Sequence, residues 1–322
     1  MDTDEMKETS ARLPVCVLRT VAETPWAILP AKFAEILAFL DLRSQGVVFS
    51  HEQIQARVSA ASPRAVQAAG SVAILPLYGT IGQRMNLMSE FSGGTSTEQF
   101  ATAFRQALAD DSVGSIVIDV DSPGGTISGV PELASEIQAA RGQKPIVAVA
   151  NSLAASAAYW IASQADELVV TPSGEVGSIG VFAAHQDVSE MLANLGTRVS
   201  LISAGKFKTE GNPYEPLSDD ARAAIQASVD DYYQMFATAV AKGRGVSKGD
   251  VTGGFGEGRI VGAKQALSLG MADRVATLRE TIARLASGGR STRSARAEEV
   301  KPELVAGDVD RRRRRLRLLA QS

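Results

Sequence analysis

Short apolar runs that alternate with helical patterns constrain the fold of this chain most strongly. Ser115–Val120 (SIVIDV) and Pro145–Ala150 (PIVAVA) are typical of buried strands. Amphipathic helical patterns cover residues 97–109 and 130–140. Strands that alternate with helices form βαβ units, so the pattern predicts an α/β protein with a mostly parallel sheet flanked by helices. Further strands are predicted at Ser71–Ile81, Glu167–Thr171 and Arg198–Ser203.

Two unusual segments follow predicted strands. Asp121-Ser122-Pro123-Gly124-Gly125 comes directly after the first run, and Ser156 lies between the second run and a helix rich in small residues. Taken alone, Ser156 is typical of a helix-capping serine. However, the carboxyl ends of parallel strands meet at one edge of a sheet, where active sites collect. The glycine turn and Ser156 are therefore predicted to share a site.

A serine nucleophile needs a base, and two lysines are candidates. Lys206 and Lys208 lie among small residues after the predicted strand Arg198–Ser203. A lysine acts as a general base at neutral pH only when its pKa falls from ~10.4 to about 7–8, which burial can achieve. The two glycines of the turn allow backbone N–H groups to approach a developing oxyanion. The residues thus favour acyl transfer by serine and lysine, with His185 as the alternative base within the regular part of the chain.

Four motifs in order give the chain a family resemblance. They are DSPGG at 121–125, AASAAYW at 154–160, GSIGV at 177–181 and SAGKFK at 203–208. Together they resemble the signature of the signal peptide peptidase A family of Ser-Lys peptidases, which includes phage prohead maturation proteases. The resemblance covers about residues 71 to 280. It implies the Clp protease/crotonase-like fold and peptide-bond hydrolysis through an acyl-enzyme, without a cofactor or a metal.

The resemblance also implies roles for individual residues. Ser156 matches the nucleophile, and Lys208 matches the general base in preference to Lys206. Ser178 matches the serine that orients the lysine. The backbone N–H groups of Gly125 and Ala157 would form the oxyanion hole, although Ala157-Ala158 stands where glycines are usual. The family further implies a ring-like homo-oligomer, and two arrangements stay open: Ser156 and Lys208 meet either within one protomer or across a protomer boundary.

The segment from Thr24 to Lys32 (TPWAILPAK) resembles the leader of the phage branch. Scaffold or capsid proteins are therefore the expected substrates, in the host cytoplasm or within the prohead. One alternative is a cytoplasmic bacterial protease like the signal peptide peptidases. Two alternatives belong to other classes: a crotonase-like acyl-CoA enzyme and a non-catalytic capsid-assembly module. Binding of a CoA thioester would favour the first of these, and a serine probe that labels nothing would favour the second.

Composition narrows the partners and suggests three regions. The net charge of −3 gives no reason to expect nucleic-acid binding by the catalytic domain, and one cysteine excludes an internal disulfide. No run is long enough to span a membrane, and the acidic start differs from a secretory signal. The expected organisation is an N-terminal extension and linker at 1–69, a peptidase domain at 70–286, and a disordered basic tail at 287–322. Within the first region, the pattern predicts a helix over Pro30–Leu42.

Overall fold

A computed structural model describes residues 25–44, 67–69, 71–84 and 94–288. Most of the predicted linker, and the basic tail beyond residue 288, lie outside the described residues. The strands are β1 (Trp26–Ile28), β2 (Gln67–Ala69), β3 (Val72–Gly82), β4 (Gly94–Ser96), β5 (Ser115–Thr126), β6 (Ile146–Ala155), β7 (Glu167–Val170), β8 (Glu175–Gly177), β9 (Ile260–Gly262) and β10 (Arg274–Val275).

The helices are α1 (Pro30–Ser44), α2 (Thr97–Ala109), α3 (Val130–Ala139), α4 (Ala157–Ala162), α5 (Ser189–Asn194), α6 (Asp219–Arg244), α7 (Lys248–Gly254), α8 (Ala263–Ser268) and α9 (Leu278–Ala286). The predicted helix after Ser218 is confirmed: the Ser218 hydroxyl accepts a hydrogen bond from Ala221 N, and α6 ends at Gly245, whose φ is 67°. The helix predicted over Pro30–Leu42 is also confirmed, as α1.

The strands form one sheet with the path β10-β7-β6-β5-β3-β2. The neighbours from β10 to β3 pair in parallel, and β2 pairs antiparallel with β3. One face of β5 carries Ile116, Ile118 and Val120, which join the large apolar cluster with α2, α3, α4 and α6. The other face carries Val117, which packs in a smaller cluster with α9. The predicted α/β class with a mostly parallel sheet flanked by helices is confirmed.

The N-terminal segment contributes to this sheet. Trp26–Ile28 pairs antiparallel with the end of β5, although the sequence analysis assigned these residues to an extension. Three residues are too few to show a strand period, so the pattern could not identify β1. The boundaries at residues 69 and 286 stay predictions, but β1 itself pairs with the predicted peptidase domain.

The predicted strand at Arg198–Ser203 is wrong. These residues form neither helix nor strand, and they lie exposed beyond α5. Their alternation of apolar and polar residues is strand-like, but the described chain offers no sheet edge beside them. Ile202 is 101% exposed, and Leu195 and Phe207 are also exposed. Several large apolar side chains of this part of the chain thus face solvent.

Arg141 fixes the far end of the short helix α4. Its guanidinium donates hydrogen bonds to the carbonyl oxygens of Ser163, Gln164 and Ala165, which directly follow α4, and to that of Gly243 in α6. Carbonyl oxygens beyond a helix end need hydrogen-bond donors from elsewhere, and a cation with several donors satisfies them well. Arg141 thereby holds α4, α3 and α6 together.

We expect Arg141→Ala to lower the free energy of unfolding by about 3 kcal/mol, because several carbonyl oxygens lose a charged donor. Urea denaturation of the full chain measures this change. Arg105→Ala is the matched control, because Arg105 pairs with Glu136 at the exposed surface and should contribute little. Equal losses in the two variants would contradict the role given to Arg141.

Candidate active site

Ser156 occupies a strained turn between β6 and α4. Its backbone has φ 56° and ψ −120°, a conformation that non-glycine residues rarely adopt. Its N–H donates to Gly177 O at 2.8 Å, and its carbonyl oxygen accepts from Trp160 N at 2.9 Å. The surrounding backbone thus fixes the turn from both sides. Such strain, held by neighbouring structure, is characteristic of functional positions.

The Ser156 hydroxyl does not cap the helix. Ser156 takes the N-cap position of α4, as is typical of a serine at a strand-to-helix junction, but its side chain makes no capping hydrogen bond. The hydroxyl donates instead to Gly180 O over 3.4 Å, which is a long and weak bond. The side chain is 1% exposed. The Ser156 hydroxyl therefore makes only a weak hydrogen bond, so its reaction would break no strong one.

The glycine turn lies against Ser156 and tolerates no side chain. A Cβ atom on Gly124 would lie 2.2 Å from Ala27 O and 3.0 Å from Ser156 Cβ, and one on Gly125 would lie 1.8 Å from Ile81 O. The Ser122 hydroxyl holds the turn, because it donates to Gly79 O at 2.6 Å and accepts from Gly124 N at 3.2 Å. The structure therefore brings the turn and Ser156 together at one edge of the sheet.

Ser178 lies in the neighbouring segment, directly after the glycine whose carbonyl binds Ser156 N. It is buried, its φ is 52°, and its N–H donates to Arg259 O at 2.8 Å. Two serines with positive φ thus lie on adjacent segments of one site. Ala157, the other residue proposed for the oxyanion hole, follows Ser156 directly and is buried.

Lys208 lies apart from these groups in the single chain. Both Lys206 and Lys208 are exposed, and Lys208 N donates to Gly205 O at 3.1 Å within a turn. Lys206 Nζ lies 4.6 Å from the centre of the Phe207 ring. Among the residues that the structure describes, no recorded hydrogen bond joins Lys208 to Ser156 or Ser178. The burial expected for a lysine base is therefore absent from the monomer.

His185, the alternative base, is directed elsewhere. Its Nε2 lies 3.3 Å from Asn212 O. In the described ranges, no group of three His, Cys, Asp or Glu side chains could hold a metal ion. No helix in the same ranges is long and apolar enough to cross a membrane.

Sequence reasoning missed a polar cluster beneath the site. The Tyr78 hydroxyl donates to Asp119 Oδ2, whereas Asp119 Oδ1 is buried without a hydrogen-bond partner among the described residues. Burial raises the pKa of Asp119, the Tyr78 and Asn151 side chains lower it, and the nearby Asp121 raises it. Burial also raises the pKa of Asp121, and the Ser152 side chain lowers it. The sequence offered one signal for this cluster, which was Asp119 within an otherwise apolar run.

The cluster marks the level at which the central strands stop pairing regularly. β5 and β6 pair at Val120↔Ala150 and next at Ser122↔Ala154, so β6 carries two additional residues there. β3 and β5 also shift register between Tyr78 and Thr80. Tyr78 and Asp119 connect β3 to β5 at the level of these register shifts, which lie just before the site.

Residues 138–291 match the model of peptidase family S49. These residues are therefore similar to a peptidase family S49 domain. This match and the phage relatives described next confirm the predicted resemblance to the signal peptide peptidase family and its phage branch. The match includes Ser156, Ser178 and Lys208, whereas the glycine turn precedes it.

Individual proteins resemble the chain beyond the residues that match the S49 model. Capsid assembly protease C of Escherichia phage lambda is 33% identical over 257 residues, which cover 76% of this chain and 58% of the relative. Head-tail preconnector protein GP5 of Enterobacteria phage P21 is 34% identical, over 70% of this chain and 44% of the relative. The chain therefore spans about half the length of these relatives. A solved ClpP1 mutant from Listeria monocytogenes, 13% identical, covers 65% of this chain and 94% of its own at a TM-score of 0.41, too low to support an argument.

The raised pKa of Asp119 predicts a pH-dependent stability difference. The folded chain holds the Asp119 proton more tightly than the unfolded chain, so this group loses its stabilising contribution as pH rises from ~3.9 through the raised value. Asp119→Asn does not titrate, so its free energy of unfolding should increase relative to that of the wild type over this range. Urea denaturation at several pH values measures the difference. Asp111→Asn, at the exposed turn after α2, is the control, and a pH-independent difference for Asp119→Asn would contradict the prediction.

Proposed function

We propose that the chain is a serine endopeptidase that forms an acyl-enzyme on Ser156. The strained Ser156 turn beside the glycine turn is the observation that carries this proposal, together with the S49 match. Ser156 Oγ attacks the carbonyl carbon of a peptide bond while Lys208 Nζ accepts the hydroxyl proton. The proton then passes to the leaving amine, and water hydrolyses the ester to restore Ser156.

Backbone N–H groups stabilise the oxyanion in this mechanism. Ala157 directly follows Ser156, and Gly125 directly follows Gly124, which lies against Ser156; both contribute backbone donors where the negative charge develops. Ser178 hydrogen-bonds to the amine of Lys208 and directs it towards Ser156. Ser178 directly follows Gly177, whose carbonyl oxygen binds Ser156 N, and its φ is positive. A strained serine so close to Ser156 supports this role.

Assembly of several copies supplies the missing lysine. Lys208 follows a segment with several exposed apolar side chains. We call them the apolar strip, and its members are Met191, Leu195, Val199, Leu201, Ile202 and Phe207. A second copy that covers this strip removes Lys208 from water and favours the neutral amine that a base requires. The active form is then a ring-like homo-oligomer in which Lys208 of one protomer serves Ser156 of its neighbour.

Scaffold or capsid proteins are the proposed substrates. Two relatives from phages carry names that refer to capsid assembly and to a head-tail preconnector, and both exceed 30% identity to this chain. The proposed setting is head maturation of a phage or prophage, in the host cytoplasm or inside the prohead. No cofactor takes part in the proposed reaction.

We expect Ser156→Ala to abolish cleavage of fluorescein-labelled casein by the full chain, because the nucleophile is lost. The fluorescence released per unit time measures cleavage, and circular dichroism shows that the fold survives. Ser163→Ala is the matched control, since this buried serine lies at the other end of α4. Cleavage by Ser156→Ala at the wild-type rate would contradict the mechanism.

A mixture of two inactive variants tests the shared site. Ser156→Ala and Lys208→Ala are each expected to be inactive, but mixed and reassembled protomers should regain a fraction of wild-type casein cleavage. The expected maximum is about a quarter of the sites under random pairing, because each intact site needs Lys208 from one variant and Ser156 from the other. Lys206→Ala should stay active and serves as the control. A mixture that stays inactive although the variants co-assemble would show that the dyad lies within one chain.

A further inference from the structure

Strand β1 lies beside the glycine turn, on the side where Ser156 is found. β6 pairs with β5 as far as Ser122↔Ala154 and then turns away at Ser156. β1 takes its place, with Ile28↔Gly124, Ala27↔Gly125 and Trp26↔Thr126 in antiparallel register. The opposite side of this part of β5 is already paired with β3. β1 therefore fills the position that β6 vacates.

The second edge of β1 contacts the segment that follows Ser178. Trp26 N donates to Phe182 O at 2.9 Å, and Phe182 N donates to Trp26 O at 3.1 Å. Phe182 lies two residues after Gly180, whose carbonyl oxygen accepts the Ser156 hydroxyl. β1 is thus an extended segment held between two backbone edges that both adjoin Ser156.

A peptide carbonyl of β1 lies close to the catalytic groups. Ala27 O and Ser156 Cβ both lie within 3.0 Å of the position that a Cβ atom on Gly124 would occupy. Extended peptides bind proteins by adding a strand to such an edge, with backbone hydrogen bonds for affinity and side-chain pockets for specificity. β1 has the geometry of a bound peptide.

We propose that the slot between Gly124–Thr126 and Gly180–Phe182 is where a substrate strand binds, and that Trp26–Ile28 blocks it as an internal pseudosubstrate. This inference rests on the proposed peptidase function and adds regulation of the same site. β1 leaves the slot before a protein substrate enters. The order of side chains in β1, aromatic, small and aliphatic, describes the peptide that the slot accepts.

The packing around β1 supports its release as a unit with α1. Trp26 and Ile28 form a small apolar cluster with Phe33, Ile36 and Leu40 of α1, separate from the main core. The Phe33 ring lies 5.4 Å from the Trp26 ring and 5.2 Å from the Phe182 ring. Of the β1 residues, Ala27 belongs to the main core. Departure of β1 and α1 therefore leaves most of the main core closed.

A reversible disulfide that locks β1 tests the inference in the full chain. Trp26 and Phe182 exchange both backbone hydrogen bonds, so their Cα atoms lie about 5.5 Å apart, within the range of a disulfide. The lock is the variant Trp26→Cys/Phe182→Cys with Cys16→Ser. The oxidised form is expected to cleave fluorescein-labelled casein at least about tenfold more slowly than the reduced form, because substrate binds only molecules with an open slot. Trp26→Cys with Cys16→Ser, treated identically, controls for the oxidant and should not respond to it.

A second variant releases β1 without a disulfide. Trp26→Ala removes the largest side chain of the small cluster, so casein cleavage should rise several-fold above the wild-type rate while α6 and the sheet stay folded by circular dichroism. Equal cleavage by the oxidised and reduced lock, or an unchanged or lower rate for Trp26→Ala, would overturn the inference and leave the peptidase function standing. Absence of cleavage in every form, the reduced lock and Trp26→Ala included, would contradict the proposed function, and the inference would fall with it.

Discussion

The candidate site depends on the backbone of Ser156, which is held in a positive-φ conformation that non-glycine residues rarely adopt. A strained residue of this kind costs about 1–3 kcal/mol and persists only where its surroundings determine it. Here Gly177 O and Trp160 N form hydrogen bonds with the two ends of the turn. Gly124 lies so close to Ser156 that any side chain on Gly124 would clash. The packing of α4 in the main core offsets the cost of this strain, because all six residues of α4 are buried.

The central strands place the other groups around this turn. β3, β5 and β6 run parallel in regular register through Asp119 and shift register just beyond it, at the level where chemistry is proposed. The Tyr78 hydroxyl donates to Asp119 Oδ2 at this level and so connects β3 to β5. The gap between β5 and β6 becomes an opening beside Ser156, and β1 fills it. A parallel sheet with irregular ends thus creates both the Ser156 turn, where we propose the nucleophile, and the proposed slot for an extended peptide.

Much of this arrangement could be predicted from the sequence. The apolar runs of β5 and β6 and the helical patterns between them identify βαβ units, so the shared position of Gly124 and Ser156 follows from topology. The positive φ of Ser156 could not be predicted, because no local signal distinguishes it from an ordinary capping serine. β1 is too short for a period, and its partners lie about a hundred residues further along the chain. The failed strand at Arg198–Ser203 has a suitable pattern, but a strand also needs a neighbour, which the described part of the chain does not supply.

The central claim is that Ser156 is the nucleophile of the site, and a chemical label tests it most directly. The full chain is treated with a fluorophosphonate, which reacts with activated serine hydroxyls, and the modified peptide is identified by mass spectrometry. The account predicts a single adduct on Ser156, whose yield increases when β1 is released. An adduct on Ser178 or another serine, or no adduct in a preparation that cleaves casein, would contradict it.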